Sequence, residues 1–136
     1  METIKVNVSW SNKNFNGGWA LDGVGAVIAT GKTLDEFKSE FRDALEFHID
    51  AMLADGEQLP QWLARKDYDI EFELEPSALL RNAERFTTMA ALSRITGINQ
   101  RLLSNYASDV KRPRPAQRDK IIEGIHEIGR QCLAMS

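Results

Sequence analysis

Four polar side chains recur on one face of a segment near residue 100, in a pattern suited to hydrogen bonding with nucleic acid. They are Gln100, Arg101, Ser104 and Asn105. At helical spacing they lie opposite an apolar stripe that ends at Tyr106. Amide, guanidinium and hydroxyl groups match the donors and acceptors that base edges present in a major groove. The spacing therefore predicts a helix that contacts DNA bases.

A cationic segment follows this helix directly. Lys111, Arg112 and Arg114 are interleaved with Pro113 and Pro115. The prolines restrict the backbone, and Lys and Arg side chains bind phosphate oxygens without regard to base sequence. We expect the three cationic residues to act mainly on DNA phosphates beside the predicted helix.

Two short helices folded around Gly97 would position these groups. Apolar residues recur at three- and four-residue spacing on both sides of that glycine, from Met89 to Tyr106. Gly97 can adopt the positive φ that ends a helix, and Asn99 can cap the next one through its side-chain oxygen. This is a helix-turn-helix pattern. The predicted DNA-binding residues are Asn99, Gln100, Arg101, Ser104, Asn105, Lys111, Arg112 and Arg114.

A final amphipathic helix is predicted to begin at Pro115 and to close an all-α domain. Because a single helix-turn-helix contacts few base pairs, we expect a homodimer or a higher even oligomer. The expected seam is the apolar side of this helix, formed by Ile121, Gly124, Ile125, Ile128 and Gly129.

The charges divide the chain into two modules. The net charge of −3 conceals 7 Lys or Arg against 15 Asp or Glu in residues 1–80, or −8, and 10 against 5 in residues 81–136, or +5. Such asymmetry predicts modules with different partners. We place them at residues 1–75 and 76–136.

The first module is predicted to be β-β-β-α-β. Alternating apolar residues from Thr3 to Trp10 indicate a half-buried strand, and residues 12–18, rich in Asn and Gly, suggest a turn-rich connector. Short extended runs to Thr30 follow. A capping box predicts a long helix from Leu34, and Asp69–Leu74 alternates as the last strand. The fold class is therefore α+β.

No residue pattern indicates catalysis, a metal site or a cofactor. The acidic residues of the long helix spread over its solvent side, and His48 and His126 have no Ser or Cys at a recognisable nucleophile spacing. Cys132 is the only cysteine, which excludes an intrachain disulfide. No apolar run is long enough for a signal sequence or a membrane span. We therefore expect a cytoplasmic protein without a membrane partner.

The order of these parts resembles the HicB antitoxins of HicAB toxin–antitoxin systems. The segments that carry the resemblance are GKTLDEFKSEFRDALEFHIDAM, then DGEQLP, then the predicted helix-turn-helix. The residues that match the family's features are Thr33, Glu36, Ala44, Gly56 and Pro60. The chain departs from the family at Val24-Gly25-Ala26, where Pro-Gly-Cys is common. It also has Ser93 and Thr96 in place of an alanine and an apolar residue, and Asp109 where a glycine often ends the recognition helix.

The resemblance implies a truncated, inactive ribonuclease-H-like module that blocks a small HicA-like toxin that cleaves mRNA, and a C-terminal module that represses its own promoter. An RNA-cleaving partner needs a cationic surface, so acidic side chains are the candidate toxin contacts. These are Asp35, Glu36, Glu40, Asp43, Glu71 and Glu73.

Two alternatives remain open. One is a stand-alone helix-turn-helix transcription regulator whose first module binds a ligand or dimerises. The other is an enzyme that uses the ribonuclease-H-like module, which would need an inward-facing acidic cluster that the sequence does not supply. A neighbouring reading frame for a small basic protein would favour the antitoxin over the stand-alone regulator.

Overall fold

The computed structural model describes residues 1–136 as an α+β protein with one mixed sheet and six helices. It divides into two units, Met1–Glu75 and Pro76–Ser136. The first unit contains β1 (Glu2–Ser11), β2 (Asn14–Leu21), β3 (Gly25–Gly31), α1 (Leu34–Ala54), α2 (Gln61–Ala64) and β4 (Tyr68–Leu74). The second contains α3 (Pro76–Ala83), α4 (Met89–Thr96), α5 (Gln100–Ala107) and α6 (Pro115–Ala134).

The sheet has the strand order β3-β2-β1-β4. The β1/β2 and β2/β3 pairs are antiparallel, whereas β1 and β4 are parallel over the whole length of β4. Alternate residues of β1 are fully buried at Ile4, Val6 and Val8, as the alternation predicted. The other face of the sheet carries the exposed side chains of the same strands.

The predicted connector at residues 12–18 is wrong, because most of it belongs to β2. The turn consists of Asn12 and Lys13 alone, with φ of 51° and 64°. Such a two-residue loop matches the twist of the flanking strands. Gly17 lies inside β2, where an added Cβ would approach Asn7 O to 2.3 Å. Glycine is therefore required at position 17 by close packing in the sheet, and it does not mark a turn.

Helix α1 covers one face of the sheet and begins where the capping box predicted. Thr33 Oγ1 accepts a hydrogen bond from Glu36 N at 3.1 Å, and Glu36 Oε2 accepts one from Lys32 N at 3.3 Å. Phe37 and Phe41 pack edge-on against Phe72 of β4, with ring centroids 5.9 and 6.0 Å apart. Each large apolar side chain buried this way contributes about 1.5–3 kcal/mol to folding.

The short helix α2 was not predicted from the sequence. Its four residues follow Pro60, whose carbonyl accepts hydrogen bonds from Leu63 N and Ala64 N at 3.0 Å. Leu63 is fully buried. A single turn is too short to show helical periodicity in the sequence.

The four helices of the second unit enclose a separate core. Its buried residues are Leu80, Ala83, Leu92, Ile98, Leu103, Tyr106, Ala107 and Ile121. Helix α3 begins at Pro76, and Ser77 is buried within its first turn. Proline is favoured at this position because it has no N–H to leave unpaired.

The joint between α4 and α5 is held by hydroxyl groups. Gly97 has a left-handed φ of 76° and ends α4, as predicted. Ser93 Oγ donates to Ile98 O at 2.6 Å, and Thr96 Oγ1 donates to Leu92 O at 2.6 Å and accepts from Ile98 N at 3.2 Å. Both side chains therefore stabilise the turn between the two helices.

None of the helices has the length and apolar composition that a bilayer span requires.

Candidate nucleic-acid interface

Helix α5 presents a polar face to solvent and an apolar face to the core. Leu103, Tyr106 and Ala107 are buried. The exposed residues Gln100, Arg101 and Ser104 lie on the other side, whereas Asn105 is half-buried. The predicted division between the two faces is thus present in the structure for three of the four outward residues.

Asn99 and Asn105 have local structural roles. Asn99 caps α5, and its Oδ1 accepts a hydrogen bond from Arg101 N at 2.8 Å. That oxygen is therefore engaged, and the amide nitrogen is the group Asn99 has to offer a ligand. The backbone carbonyl of Asn105 accepts from Val110 N at 2.9 Å and from Lys111 N at 3.3 Å, which fixes the start of the cationic segment.

The cationic segment leaves α5 through a left-handed residue. Asp109 has a φ of 59°, a conformation that Asp tolerates better than most residues. Its carboxylate lies 3.4 Å from Arg112 Nε. Lys111 and Arg114 are exposed and form no ion pair. Of the three predicted phosphate contacts, Arg112 is therefore partly neutralised and the other two are not.

These groups form a surface that can bind both parts of a nucleic acid. Amide, guanidinium and hydroxyl groups on α5 can hydrogen bond to base edges. The unpaired cations that follow can bind the backbone. The unit that carries them has a net charge of +5, from 10 Lys or Arg and 5 Asp or Glu.

The acidic candidates on α1 are exposed in the first unit. Asp35, Glu40 and Asp43 form no hydrogen bond or ion pair through their side chains, and Glu36 only closes the capping box. The acidic residues further along α1 differ, because Lys66 Nζ lies 3.1 Å from Glu46 and 3.0 Å from Asp50. Hydrogen bonds to Asp50 and then Glu46 raise the pKa of Lys66. The first three turns of α1 therefore carry four carboxylates without an ion pair, beside the cations Lys38 and Arg42, which lie over the Phe72 ring.

Glu71 and Glu73 lie elsewhere on the first unit. Both are exposed on β4, and they alternate with Phe72, which faces α1. Because successive side chains of a strand point to opposite faces, the two glutamates lie on the side of the sheet that α1 does not cover. The structure thus places the six acidic candidates on two separate surfaces.

Phe47 is an exposed aromatic residue that was not among the predicted site residues. This side chain is 77% exposed and lies on α1 four residues after Asp43, so it continues the acidic side of the helix. A phenylalanine outside the apolar stripe was visible in the sequence and would have marked this position.

Tyr106 was assigned to the core only, although a tyrosine there also brings a hydroxyl that needs a partner.

The predicted dimer seam on α6 is partly wrong. Ile121 is fully buried in the core of its own unit, and Gly124 is buried where an added Cβ would approach Thr96 Cγ2 to 2.4 Å. Neither can contact another subunit. An apolar stretch of α6 remains accessible beside Phe86, which is 76% exposed. The apolar residues of this stretch are Ile125, Ile128, Cys132 and Leu133.

No protein-family model and no curated protein matches the chain. No group of three or more His, Cys, Asp or Glu side chains is arranged to hold a metal ion.

Proposed function

We propose that the protein is a DNA-binding repressor of its own operon that also neutralises a small, basic, HicA-like ribonuclease, as HicB antitoxins do. In this proposal α4 and α5 are a helix-turn-helix, and α5 enters the major groove. The first unit is a truncated ribonuclease-H-like module that covers the toxin. The function is regulatory and not enzymatic.

One observation carries the DNA-binding part of the proposal. Helix α5 buries Leu103 and Tyr106, which directs Gln100, Arg101 and Ser104 outward beside the unpaired Lys111. A helix held in this way by its own core can present side chains to base edges without reordering.

The DNA-binding part is tested with the sequence upstream of the gene and a random duplex of equal length. Arg101→Ala should lose about 1–3 kcal/mol of binding free energy on the upstream sequence and much less on the random duplex. Arg65→Ala removes the same charge from the first unit and serves as the control. Equal losses on the two duplexes would contradict base contact by Arg101.

The antitoxin part is supported by charge. The first unit has 7 Lys or Arg against 15 Asp or Glu, or −8, and the acidic side chains at the start of α1 are largely unpaired. A ribonuclease must hold phosphates on a cationic surface, so an acidic face can occupy that surface and exclude RNA. The exposed Phe47 supplies an aromatic side chain of the kind that dominates binding energy at protein interfaces.

The antitoxin part is tested by co-purification of the full chain with the product of the adjacent gene. Glu40→Lys with Asp43→Lys should slow association most at low salt, because paired charges steer encounter. Phe47→Ala should instead speed dissociation. The matched control is Glu57→Lys with Asp67→Lys, which makes the same charge change at exposed positions outside α1. Similar slowing by both charge reversals would exclude α1 as the contact surface.

The repressor is proposed to act as a symmetric dimer. Phe86 and the apolar groove formed by Ile125, Ile128 and Cys132 belong to one surface. In a symmetric dimer, Phe86 of each copy would therefore pack into this groove of the other copy. Dimerisation would also set two α5 helices against half-sites about 34 Å apart. Sedimentation should show a dimer at micromolar concentration and a shift to monomer for Phe86→Ser. A wild-type monomer at that concentration would refute this arrangement.

A second candidate is a stand-alone regulator whose first unit dimerises or binds a ligand. Ile28 favours it, because this side chain is 72% exposed on the uncovered face of the sheet. In that case the adjacent gene product would not co-purify, and Ile28→Lys would change the oligomeric state.

A further inference from the structure

A cleft in the second unit separates the end of α5 from the start of α6. It is open to solvent and has a volume of about 610 Å³. Its walls are formed by Tyr106, Lys111, Arg112, Arg114, Ala116 and Gln117. Three of the six wall residues are cations, and no acidic residue is among them. The nearest ion pair joins Asp109 to Arg112, so Lys111 and Arg114 keep their full charge for a ligand.

Tyr106 contributes a hydroxyl group that has no partner in the protein. Its side chain is 7% exposed and belongs to the core of the unit, yet it forms part of the wall of the cleft. The hydroxyl makes no hydrogen bond within the chain and is not fully shielded from solvent. Buried tyrosines usually satisfy this group. The hydroxyl is therefore free to donate to a ligand in the cleft.

The start of α6 contributes an unused backbone donor. Pro115 has no N–H, and the N-cap residue Arg114 makes no side-chain cap. Gln117 N and Arg118 N both donate to Arg114 O at 2.9 Å. Ala116 N–H lies in the first turn, where no intrahelical acceptor exists. The twenty-residue helix also places partial positive charge at this end.

We propose that this cleft is a phosphate-binding site whose ligand is a backbone phosphodiester of DNA. Tyr106 Oη and Ala116 N donate hydrogen bonds to the phosphate oxygens, and Lys111 and Arg114 balance their charge. Hydrogen-bond donors together with a helix N-terminus are suited to such an anion. The inference rests on the proposed DNA binding and assigns one defined phosphate to it. Free inorganic phosphate shares the chemistry and is separated from DNA by the test.

The first arm of the test measures binding of a random duplex by the full chain over a range of salt concentrations. Lys111→Gln should lower the slope of log K against log salt by about 0.9 and weaken binding about eightfold at roughly 0.1 M salt. Lys120→Gln, on α6 outside the cleft, should leave both unchanged. Tyr106→Phe should weaken binding roughly tenfold with the slope unchanged, because it removes a hydrogen bond and no charge. Tyr68→Phe, in the first unit, is its control.

The second arm follows the amide signal of Ala116 by NMR as inorganic phosphate replaces chloride at constant ionic strength. Phosphate should shift this signal in the wild type and not in Tyr106→Phe, and duplex DNA should displace the phosphate. Circular dichroism and thermal unfolding check that each variant is folded. If Tyr106→Phe is unstable, Lys111→Gln still tests the site, because Lys111 is exposed and its replacement does not disturb the core.

The outcomes separate the inference from the function on which it rests. If the wild type binds duplex and both cleft variants bind it equally well, the site is wrong and the DNA-binding function stands. If phosphate binds and duplex does not displace it, the ligand is free phosphate and the assignment to DNA is overturned. A wild type that binds no duplex overturns both.

Discussion

Substituting alanine for Gly124 should destabilise the second unit, although helices in general favour alanine over glycine. Alanine in a helix interior is about 1 kcal/mol more favourable than glycine. At this position, however, the new Cβ would lie 2.4 Å from Thr96 Cγ2 and 3.1 Å from Ile95 Cγ2. Thr96 cannot retreat freely, since its hydroxyl bonds to Leu92 O and Ile98 N at the joint between α4 and α5.

The size of the effect follows from these contacts. Overpacking costs about 1–3 kcal/mol, and release of one Thr96 hydrogen bond costs about 1 kcal/mol more. After the gain in helix propensity, Gly124→Ala should lower the free energy of unfolding by about 1–3 kcal/mol. Gly129→Ala, in the same helix with no atom within 4 Å of the new Cβ, should raise it by about 0.5–1 kcal/mol. Comparing the two variants separates the cost of overpacking from the gain in helix propensity.

The assay is urea denaturation followed by circular dichroism and by tryptophan fluorescence. All three tryptophans, Trp10, Trp19 and Trp62, lie in the first unit. The fluorescence transition should therefore stay constant while the helical signal of the second unit shifts. Adding Thr96→Ser removes Cγ2 and keeps the hydroxyl, so the double variant should recover most of the loss. Stabilisation by Gly124→Ala, or no recovery with Thr96→Ser, would refute the proposed contact.

Three further predictions concern both units. Gly17→Ala should destabilise the first unit by about 1–3 kcal/mol, seen as an earlier fluorescence transition, because its Cβ would collide with backbone that cannot move aside. Leu63→Ala should cost about 2–5 kcal/mol in the same assay, since Leu63 is fully buried. Hydrogen bonds from Arg130 and then Gln131 lower the pKa of Glu127. The stabilising effect of that carboxylate is therefore present above its unfolded pKa and is lost as pH falls through the lowered folded pKa. Arg130→Gln should raise the Glu127 pKa in an NMR titration, and an unchanged value would exclude the pairing.

Elements with local signals could be predicted from the sequence. The capping box at Thr33 and Glu36, the left-handed Gly97 and the first-turn Pro115 each depend on a few neighbouring residues, and each lies where it was expected. The boundary after residue 75, drawn from the change in charge and pattern, is also where the contacts divide the chain.

The errors arose where contacts distant in sequence decide the outcome. Gly17 resembles a turn residue until Asn7 and Phe37 are seen to fill the space of its side chain. Ile121 and Gly124 lie on the same side of α6 as Ile125. Periodicity shows that this side is apolar, but it cannot show whether a residue there packs against its own unit or against a second subunit. The polar face of α5 was predictable because it is defined by what the core excludes. The position of Tyr106 in the wall of a cleft was not predictable, because the other side of that cleft is the start of α6.

The parallel pairing of the first and last strands sets the order in which the first unit can be completed during synthesis. Strand β1 leaves the ribosome first, yet its partner β4 begins only at Tyr68. The hairpins and α1 can form from neighbouring residues, whereas the β1/β4 pair must wait for a long loop to close. Until then β1 is an unprotected edge open to pairing with other nascent chains. Glu75 N donates to Val8 O at 2.8 Å and extends the contact by one residue. A fragment meant to isolate the first unit must therefore retain all of β4, and fragments that end before Tyr68 should aggregate.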